Sequence, residues 1–476
     1  MCDFWRGSTV KILHESQGFT AFERAFESAE KTNKKVLYSK VMKIDTVDPL
    51  QFYEAGYSIY HGERSYWEDP KGETTLVGLG NAEIFSSERE QSRFDELHKK
   101  WQKFLKGAVI EDRAGMSTGP VLMGGFTFDP KQETAIEWSN FSKAYFHLPS
   151  FMLTVDHDGS SYLTVNIVCM EGDFAGEVWN RMQLTKEQLM NGAVTGLQDV
   201  SVESIEEIRP EEWKTSLTSV VERINEGEME KVVLARKIKV DFNNKKRSDS
   251  VLERLRDDQA DSFIFSFEVA DTCFIGATPE RLVKKEGNEV LSTCLAGSIV
   301  RGKTIEEDEK LGQELLNDQK NLVEHEIVVR MISKNLEELC ESIHVPAKPG
   351  LMKMRDIQHL YTPVKGQSDS GKTIVDFVEK LHPTPALGGT PTDKALQVIR
   401  EEEDMNRGLY AAPVGWINAD GDGEFAVAIR SGLLIQDYAY LYAGCGVVKD
   451  SEAESEYQET LIKFRPMLRA VGGTMK

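Results

Sequence analysis

Near the end of the chain Glu456, Glu459 and Lys463 are separated by three and four residues, which places them on one face of any helix that carries them. A row of this kind is usually a solvated salt-bridge face. Here it follows Tyr442-Ala443-Gly444-Cys445-Gly446, where Gly444 and Gly446 let the backbone approach an anion such as a carboxylate closely. Glu324, in Asn321-Leu322-Val323-Glu324-His325-Glu326, adds a hard oxygen donor from a separate helix. His325 and Glu326 lie roughly 100° and 200° further round that helix and point elsewhere. Two or more carboxylates, completed by waters and a substrate oxygen, suit Mg2+, an ion that keeps much of its hydration shell.

Three further residues stand out against their surroundings. Lys231 opens the apolar strand Lys231-Val232-Val233-Leu234-Ala235-Arg236 and shares a face with Val233 and Ala235. It either snorkels at the strand end or, if desolvated, serves as a general base. Glu280, in Gly276-Ala277-Thr278-Pro279-Glu280-Arg281, follows another strand and could pair with Arg281 in a turn. Arg430 interrupts Ala426-Val427-Ala428-Ile429-Arg430-Ser431, a run that otherwise reads as core, so its guanidinium needs an anionic partner; a carboxylate ligand suits its bidentate fork.

Gly366-Gln367-Ser368-Asp369-Ser370-Gly371-Lys372-Thr373 fits the phosphate-loop pattern G-x-x-x-x-G-K-[ST]. Such a loop needs a buried parallel strand before it and a substantial helix after it. Here Pro363 interrupts the incoming segment and His382-Pro383 stops the outgoing one, so the segment is expected to be a polar turn capping a short helix. Gly78-Leu79-Gly80 and Asp420-Gly421-Asp422-Gly423 lack the remaining residues of dinucleotide and calcium loops and read as turns.

The elements that must position these residues follow from periodicity and punctuation. A charged amphipathic stretch from Ser86 to Leu105 predicts a helix, after a short β-like run at Thr75 to Gly78. Residues Pro120 to Val168 predict an antiparallel meander, and Trp179 to Asn191 a helix. The acidic segment Asp199 to Glu212 is the candidate joint between an N-terminal α+β region, 1–205, packed into the same fold, and a catalytic region, 206–476. Beyond it come a helix from about Glu211 to Glu226 and strands at Lys231 to Val240, Phe263 to Val269, Cys273 to Gly276 and Leu282 to Leu295. One long helix or two consecutive ones cover Ile305 to Leu339. Thr390-Pro391-Thr392-Asp393 starts a helix to about Glu402, and Asp420 to Gly423 joins Val414 to Ile417 and Phe425 to Ile435 as a hairpin. A strand at Tyr438 to Val448 and a helix at Ser455 to Arg469 complete an α+β fold: a large, mainly antiparallel sheet flanked by helices.

Composition sets the outer bounds. The chain has 476 residues, 40% hydrophobic and 28% charged, enough to bury a core without staples. With 57 Lys and Arg against 78 Asp and Glu, its net charge of −21 repels phosphate backbones and anionic lipid, so neither nucleic acid nor a membrane is an expected partner. No apolar run spans a bilayer and Met1 to Arg6 lead into no signal segment, so a cytoplasmic location is expected. The six cysteines are scattered without a C-x-x-C pair and read as reduced, mostly buried thiols. No obligatory protein partner is evident, and a monomer or weak dimer is expected.

Taken in order, Lys231 to Arg236, Ala277 to Arg281, Leu295-Ala296-Gly297-Ser298, Glu324-His325, His382-Pro383-Thr384-Pro385-Ala386 and Glu456-Tyr457-Gln458-Glu459-Thr460 resemble the motifs of chorismate-utilising enzymes. The resemblance is dense over roughly residues 212 to 467 and loose before that. Within the family the chain is most similar to isochorismate synthases of the menaquinone-pathway type. The resemblance implies a Mg2+-dependent isomerisation of chorismate, in which water adds at C2 and the C4 hydroxyl leaves. It implies that Lys231 activates the water and Glu280 protonates the departing hydroxyl, the latter kept protonated by burial and nearby carboxylates. It assigns Glu324 and Glu459 to the metal, with Glu456 supporting through water. It assigns Arg430, Lys463, Gly297, Ser298, Gly444 and Gly446 to substrate carboxylates, and His359 to the pocket wall. Family members that use ammonia typically carry glutamine at the position of Lys231, and one group has a lysine at that of Ala296. Members that go on to eliminate pyruvate and release salicylate typically have threonine at the position of Ala386. Salicylate synthase therefore stands as the alternative reading, and a phosphate-loop nucleotide-binding protein as one from another class.

Overall fold

The computed structural model describes residues 19–192, 200–369 and 371–474. Met1 to Arg6, Asp199 and Ser370, which entered the sequence analysis, lie outside them. Many strands, such as Val121–Phe126 and Thr272–Thr278, are buried on both faces, which is why they read as continuous apolar runs instead of alternating ones.

All but one of the strand pairings among the described residues are antiparallel; the exception joins Val36–Ile44 to Val109–Glu111. The network forks at the long strand Ala144–Asp156. From its pairing with Thr74–Ser87, a first wing runs through Arg64–Glu68, Phe263–Val269, Thr272–Thr278, Ser431–Ile435 and Tyr438–Val447 to Lys231–Phe242. From its pairing with Val121–Phe126, a second wing runs through Pro413–Asn418, Gly423–Val427, Arg281–Glu286 and Glu289–Val300 to Ile357–Ser368. One apolar core joins the wings: Trp67, Phe265 and Phe274 from the first share it with Phe126, Val283, Val414 and Phe425 from the second. Helices Pro49–Ala55, Ala175–Asn191, Ser248–Asp258 and Ala453–Val471 cover the first wing through a separate core. Arg93–Leu105, Gln319–Glu337 and Ile374–Leu381 pack on the second. This is the expected α+β architecture. Strands from either side of residue 205 pair directly, and the acidic segment at the candidate joint carries the strand Val202–Glu207, paired with Lys231–Phe242.

Three element boundaries differ from the sequence expectation, each for a local reason. The helix expected from Ser86 starts at Arg93, because Ser86 and Ser87 extend a strand opposite Tyr145 and Ala144. The strand expected over Leu282 to Leu295 is a hairpin, Arg281–Glu286 and Glu289–Val300, turning at Gly287 with φ 58°. Of the two readings of Ile305 to Leu339, the structure takes two consecutive helices, because Asp318 ends the first and caps the second through Asn321 N. The apolar run Phe425 to Ile435 breaks at Arg430, whose φ of 51° turns the chain out of the strand.

The phosphate-loop reading fails on topology. Gly366, Gln367 and Ser368 end a strand bordered on both sides by antiparallel neighbours, and Thr373 forms a capping box with Asp376 on the eight-residue helix Ile374–Leu381. Among the described residues the five cysteines are free and buried, as expected.

Candidate active site

The break at Arg430 is what builds the site. The chain passes from the first wing to the second at Thr278–Arg281, and from the second back to the first at Val427–Ser431. These crossings lie side by side: Ala277 N donates to Arg430 O at 3.1 Å, and Val427 N to Glu280 O at 2.9 Å. Arg281 turns away to pair with Glu424 at 2.5 Å, so the expected Glu280–Arg281 turn pair does not form and Glu280 lines the adjoining cavity beside Arg430.

That cavity, about 240 Å³, brings together every residue that the resemblance assigns to the site. Strand Lys231–Phe242 presents Lys231 at its start, and the paired strand sets Gly446 opposite Val233 and Gly444 opposite Ala235. The two glycines lie within strand Tyr438–Val447, as expected. Their bareness makes room: a Cβ on Gly446 would stand 2.9 Å from Lys231 Cε, and one on Gly444 3.2 Å from the Tyr410 hydroxyl. Gly297 and Ser298 occupy an irregularity in the pairing of Glu289–Val300 with Ile357–Ser368, which Gly297 meets with φ 78°. The Ser298 hydroxyl stands 2.7 Å from His359 Nδ1. Ala296 and Ala386 add apolar wall, helix Gln319–Glu337 brings Glu324, and helix Ala453–Val471 brings Glu456, Glu459 and Lys463 on one face. His325 points away, its ring between Ala296 O at 3.0 Å and Thr362 Oγ1 at 2.7 Å, and Glu326 is exposed.

Charges in the cavity are mostly paired. Lys231 Nζ donates to Glu324 Oε1 at 2.6 Å. Lys463 Nζ sits 2.5 Å from Glu459 and donates to Gly444 O at 2.8 Å. Burial pushes the Glu280 carboxyl up to about 7, against the pull of Lys231, Arg430 and Lys463. The expected proton is thus held by burial alone, because the charged neighbours are cations and not carboxylates. Burial likewise pushes His359 down to about 3, reinforced by Arg430 and Lys463, so its ring is neutral. Burial also lowers Arg430, whose side chain stays partly open to the cavity. Glu456 and Glu459 diverge. Burial raises the first. For the second, Lys463, Arg430 and Lys231 outweigh burial and hold the carboxyl below its ordinary value.

The model of the chorismate binding enzyme family matches residues 23–472. The chain belongs to this family. It is 43% identical over 454 residues to the isochorismate synthase MenF of Bacillus subtilis, covering 94% of this chain and 96% of that one. It is 36% identical over 477 residues to the salicylate biosynthesis isochorismate synthase of Pseudomonas aeruginosa, covering 97% and 96%. Among solved structures, the menaquinone-specific isochorismate synthase MenF of Escherichia coli matches the fold with a TM-score of 0.77 at 22% identity, over 95% of this chain and 99% of that one.

For this chorismate-binding chain, the cavity also contains groups that the sequence analysis missed. Tyr410, fully buried, stacks on Tyr442 with ring centroids 5.2 Å apart and carries its hydroxyl to Gly444; burial raises that hydroxyl. Arg407, paired with Glu403 four residues earlier, also lines the cavity, as do Lys320 and Asn321 at the start of the Glu324 helix. Glu403 and Arg407 lie beyond the end of helix Thr392–Glu402, so no helical spacing announced the pair.

Among the described residues no three His, Cys, Asp or Glu side chains stand together as a ready-made metal cage. Glu324, Glu456 and Glu459 nevertheless line the same cavity as oxygen-only donors. Glu324 and Glu459 each already balance one ammonium, and Glu456 accepts from Ser451 Oγ at 2.8 Å. A set of carboxylates that leaves most coordination positions to water and substrate fits Mg2+.

Proposed function

We propose that this protein is an isochorismate synthase: it isomerises chorismate to isochorismate with Mg2+, in the service of menaquinone biosynthesis. The single observation that carries the reading is Glu280, a buried carboxyl poised at about 7 and facing the same cavity as Lys231. An acid and a base of opposite charge habit at one site are what exchange of a hydroxyl between ring positions needs. Near-complete coverage of MenF from Bacillus subtilis at 43% identity favours the menaquinone branch.

Chorismate is a dianion, and the cavity offers Arg430 and Lys463 as cations together with the small-residue backbone of Gly297, Gly444 and Gly446. One carboxylate takes the Arg430 fork, a bidentate contact that the low-dielectric surroundings of this partly buried guanidinium strengthen. His359, neutral and tied to Ser298, shapes the wall without adding charge. Glu324 and Glu459, with Glu456 through water, would hold Mg2+, which supplies charge neutralisation at the ring carboxylate. Lys231 accepts a proton from the attacking water only after its pair with Glu324 opens and the ammonium has given up a proton to solvent, since an ammonium has no lone pair. The water oxygen bonds to C2, the ring double bonds shift, the C4–O bond breaks and Glu280 delivers its proton to the departing hydroxyl, which leaves as water. Lys231 ends with one proton more and Glu280 with one fewer, so the pair resets by exchange with solvent. Alanine at position 386 keeps the wall free of the threonine found in pyruvate-eliminating relatives, which supports stopping at isochorismate.

Ligand-induced thermal stabilisation tests the reading. Chorismate with Mg2+ should raise the unfolding temperature in a concentration-dependent way and ATP with Mg2+ should not. Stabilisation by ATP alone would overturn it.

A further inference from the structure

We propose that Arg407, gripped by Glu403, is a positioning residue that fixes the strand bearing Lys231 against the segment bearing Ala386, and so governs what the site makes of its substrate. The inference rests on the isochorismate synthase reading. Arg407 is wholly buried, and its guanidinium donates in three directions. Nε donates to Glu403 Oε2 at 2.9 Å, Nη1 to Leu387 O at 3.0 Å, and Nη2 to Val233 O at 2.7 Å as well as to Glu403 Oε1. Glu403 Oε1 in turn accepts from Ala235 N at 2.7 Å, so the same ion pair holds the strand at two points. Val233 shares a strand face with Lys231, and Leu387 directly follows Ala386.

The direct ladder between these two segments is short. Gly389 and Thr390 pair with Val232 and Lys231, and Val233 N donates to Gly388 O at 2.9 Å. The approach is tight: a Cβ on Gly389 would stand 2.2 Å from Lys231 O. Beyond this ladder the separation of the two walls is set by the guanidinium, whose plane is backed by the Phe128 ring at 4.2 Å. A buried ion pair is a poor way to gain net stability compared with apolar packing. One whose donors end on main-chain carbonyls beside a base and a specificity position has a geometric use. Lysine could not reproduce it, because a point charge replaces a rigid planar fork.

The test uses full-length Arg407→Lys and Glu403→Gln. Lys285→Met, which breaks the buried Lys285–Asp422 pair of 2.6 Å away from the cavity, controls for lost stability. Unfolding midpoint, kcat, KM and the ratio of salicylate plus pyruvate to isochorismate are read for each. The expected result is a fall in kcat of about 100-fold with KM within about threefold, and a larger eliminated share, in both site variants. Lys285→Met should lose stability with kcat and product ratio unchanged. Should Arg407→Lys not fold, Glu403→Gln gives the same readouts while keeping a side chain of the same shape. Site variants that behave like Lys285→Met overturn the positioning role. Failure of the unmodified protein to form isochorismate would instead overturn the reading beneath it.

Discussion

Glu280→Gln should make the protein more stable and less active, and the two effects should part with pH. The folded state holds the Glu280 proton up to about 7, whereas the unfolded chain releases it near 4.5. Stability contributed by the neutral carboxyl is therefore fully present below about 4.5 and is lost as pH rises to about 7. Each unit of that difference is worth about 1.4 kcal/mol, so at pH 8 the wild type carries a cost on the order of 3 kcal/mol that glutamine, neutral throughout, does not. Urea unfolding followed at pH 5 and pH 8 reads this directly: the variant should gain on the wild type mainly at the higher pH. In the same samples turnover should fall about 10²- to 10⁴-fold, because glutamine cannot deliver a proton to the leaving hydroxyl. The wild-type rate itself should decline as pH rises through about 7, where Glu280 loses its proton. A stability difference independent of pH, or a variant within about threefold of wild-type turnover, would refute the assignment.

Lys231→Gln should abolish water addition, by about 10²- to 10⁴-fold in rate, while chorismate still stabilises the fold in a thermal shift; near-normal turnover would remove Lys231 from the mechanism. Glu324→Ala and Glu459→Ala should each weaken activity and its Mg2+ dependence together, and unchanged titration curves in both would sink the metal assignment. Lys372→Ala should leave chorismate turnover nearly unchanged, since Lys372 lies outside the cavity; loss of a saturable ATP-binding signal in that variant would revive the phosphate loop. Ala386→Thr should raise the ratio of salicylate to isochorismate on chromatography, because a shift of about 1.4 kcal/mol between competing barriers changes it tenfold. A slower enzyme with an unchanged ratio would count against that position.

Much of the site could be read before the structure because its residues sit where local pattern is loud: a lysine at the head of an apolar strand, an arginine inside a core run, carboxylates and a lysine at helical spacing. Other features depend on partners far away in sequence. Arg430 looked like a strand residue, since nothing in Ala426 to Ser431 announces a left-handed φ of 51°; the crossing between wings imposes it. The Leu282 to Leu295 run hid its hairpin because one glycine, Gly287, is all the punctuation the turn needs. Glu280 was expected to keep its proton partly through neighbouring carboxylates, yet the fold surrounds it with cations and leaves burial to do that alone. Arg407 escaped notice because its partners beyond Glu403 are the carbonyls of Val233 and Leu387, which no side-chain motif encodes. The fork of the sheet at Ala144–Asp156 was equally invisible, because one strand's residue types do not say that its two ends take different neighbours along one edge.

On the proposed function, this chain moves a hydroxyl on chorismate by adding water at one carbon and expelling it from another. Turnover of chorismate in ¹⁸O-labelled water with Mg2+, with the product identified by NMR and mass spectrometry, tests it most directly. The expected product is isochorismate carrying one solvent-derived oxygen at its C2 hydroxyl, with little salicylate. Dominant salicylate and pyruvate, or isochorismate without the label, would contradict it.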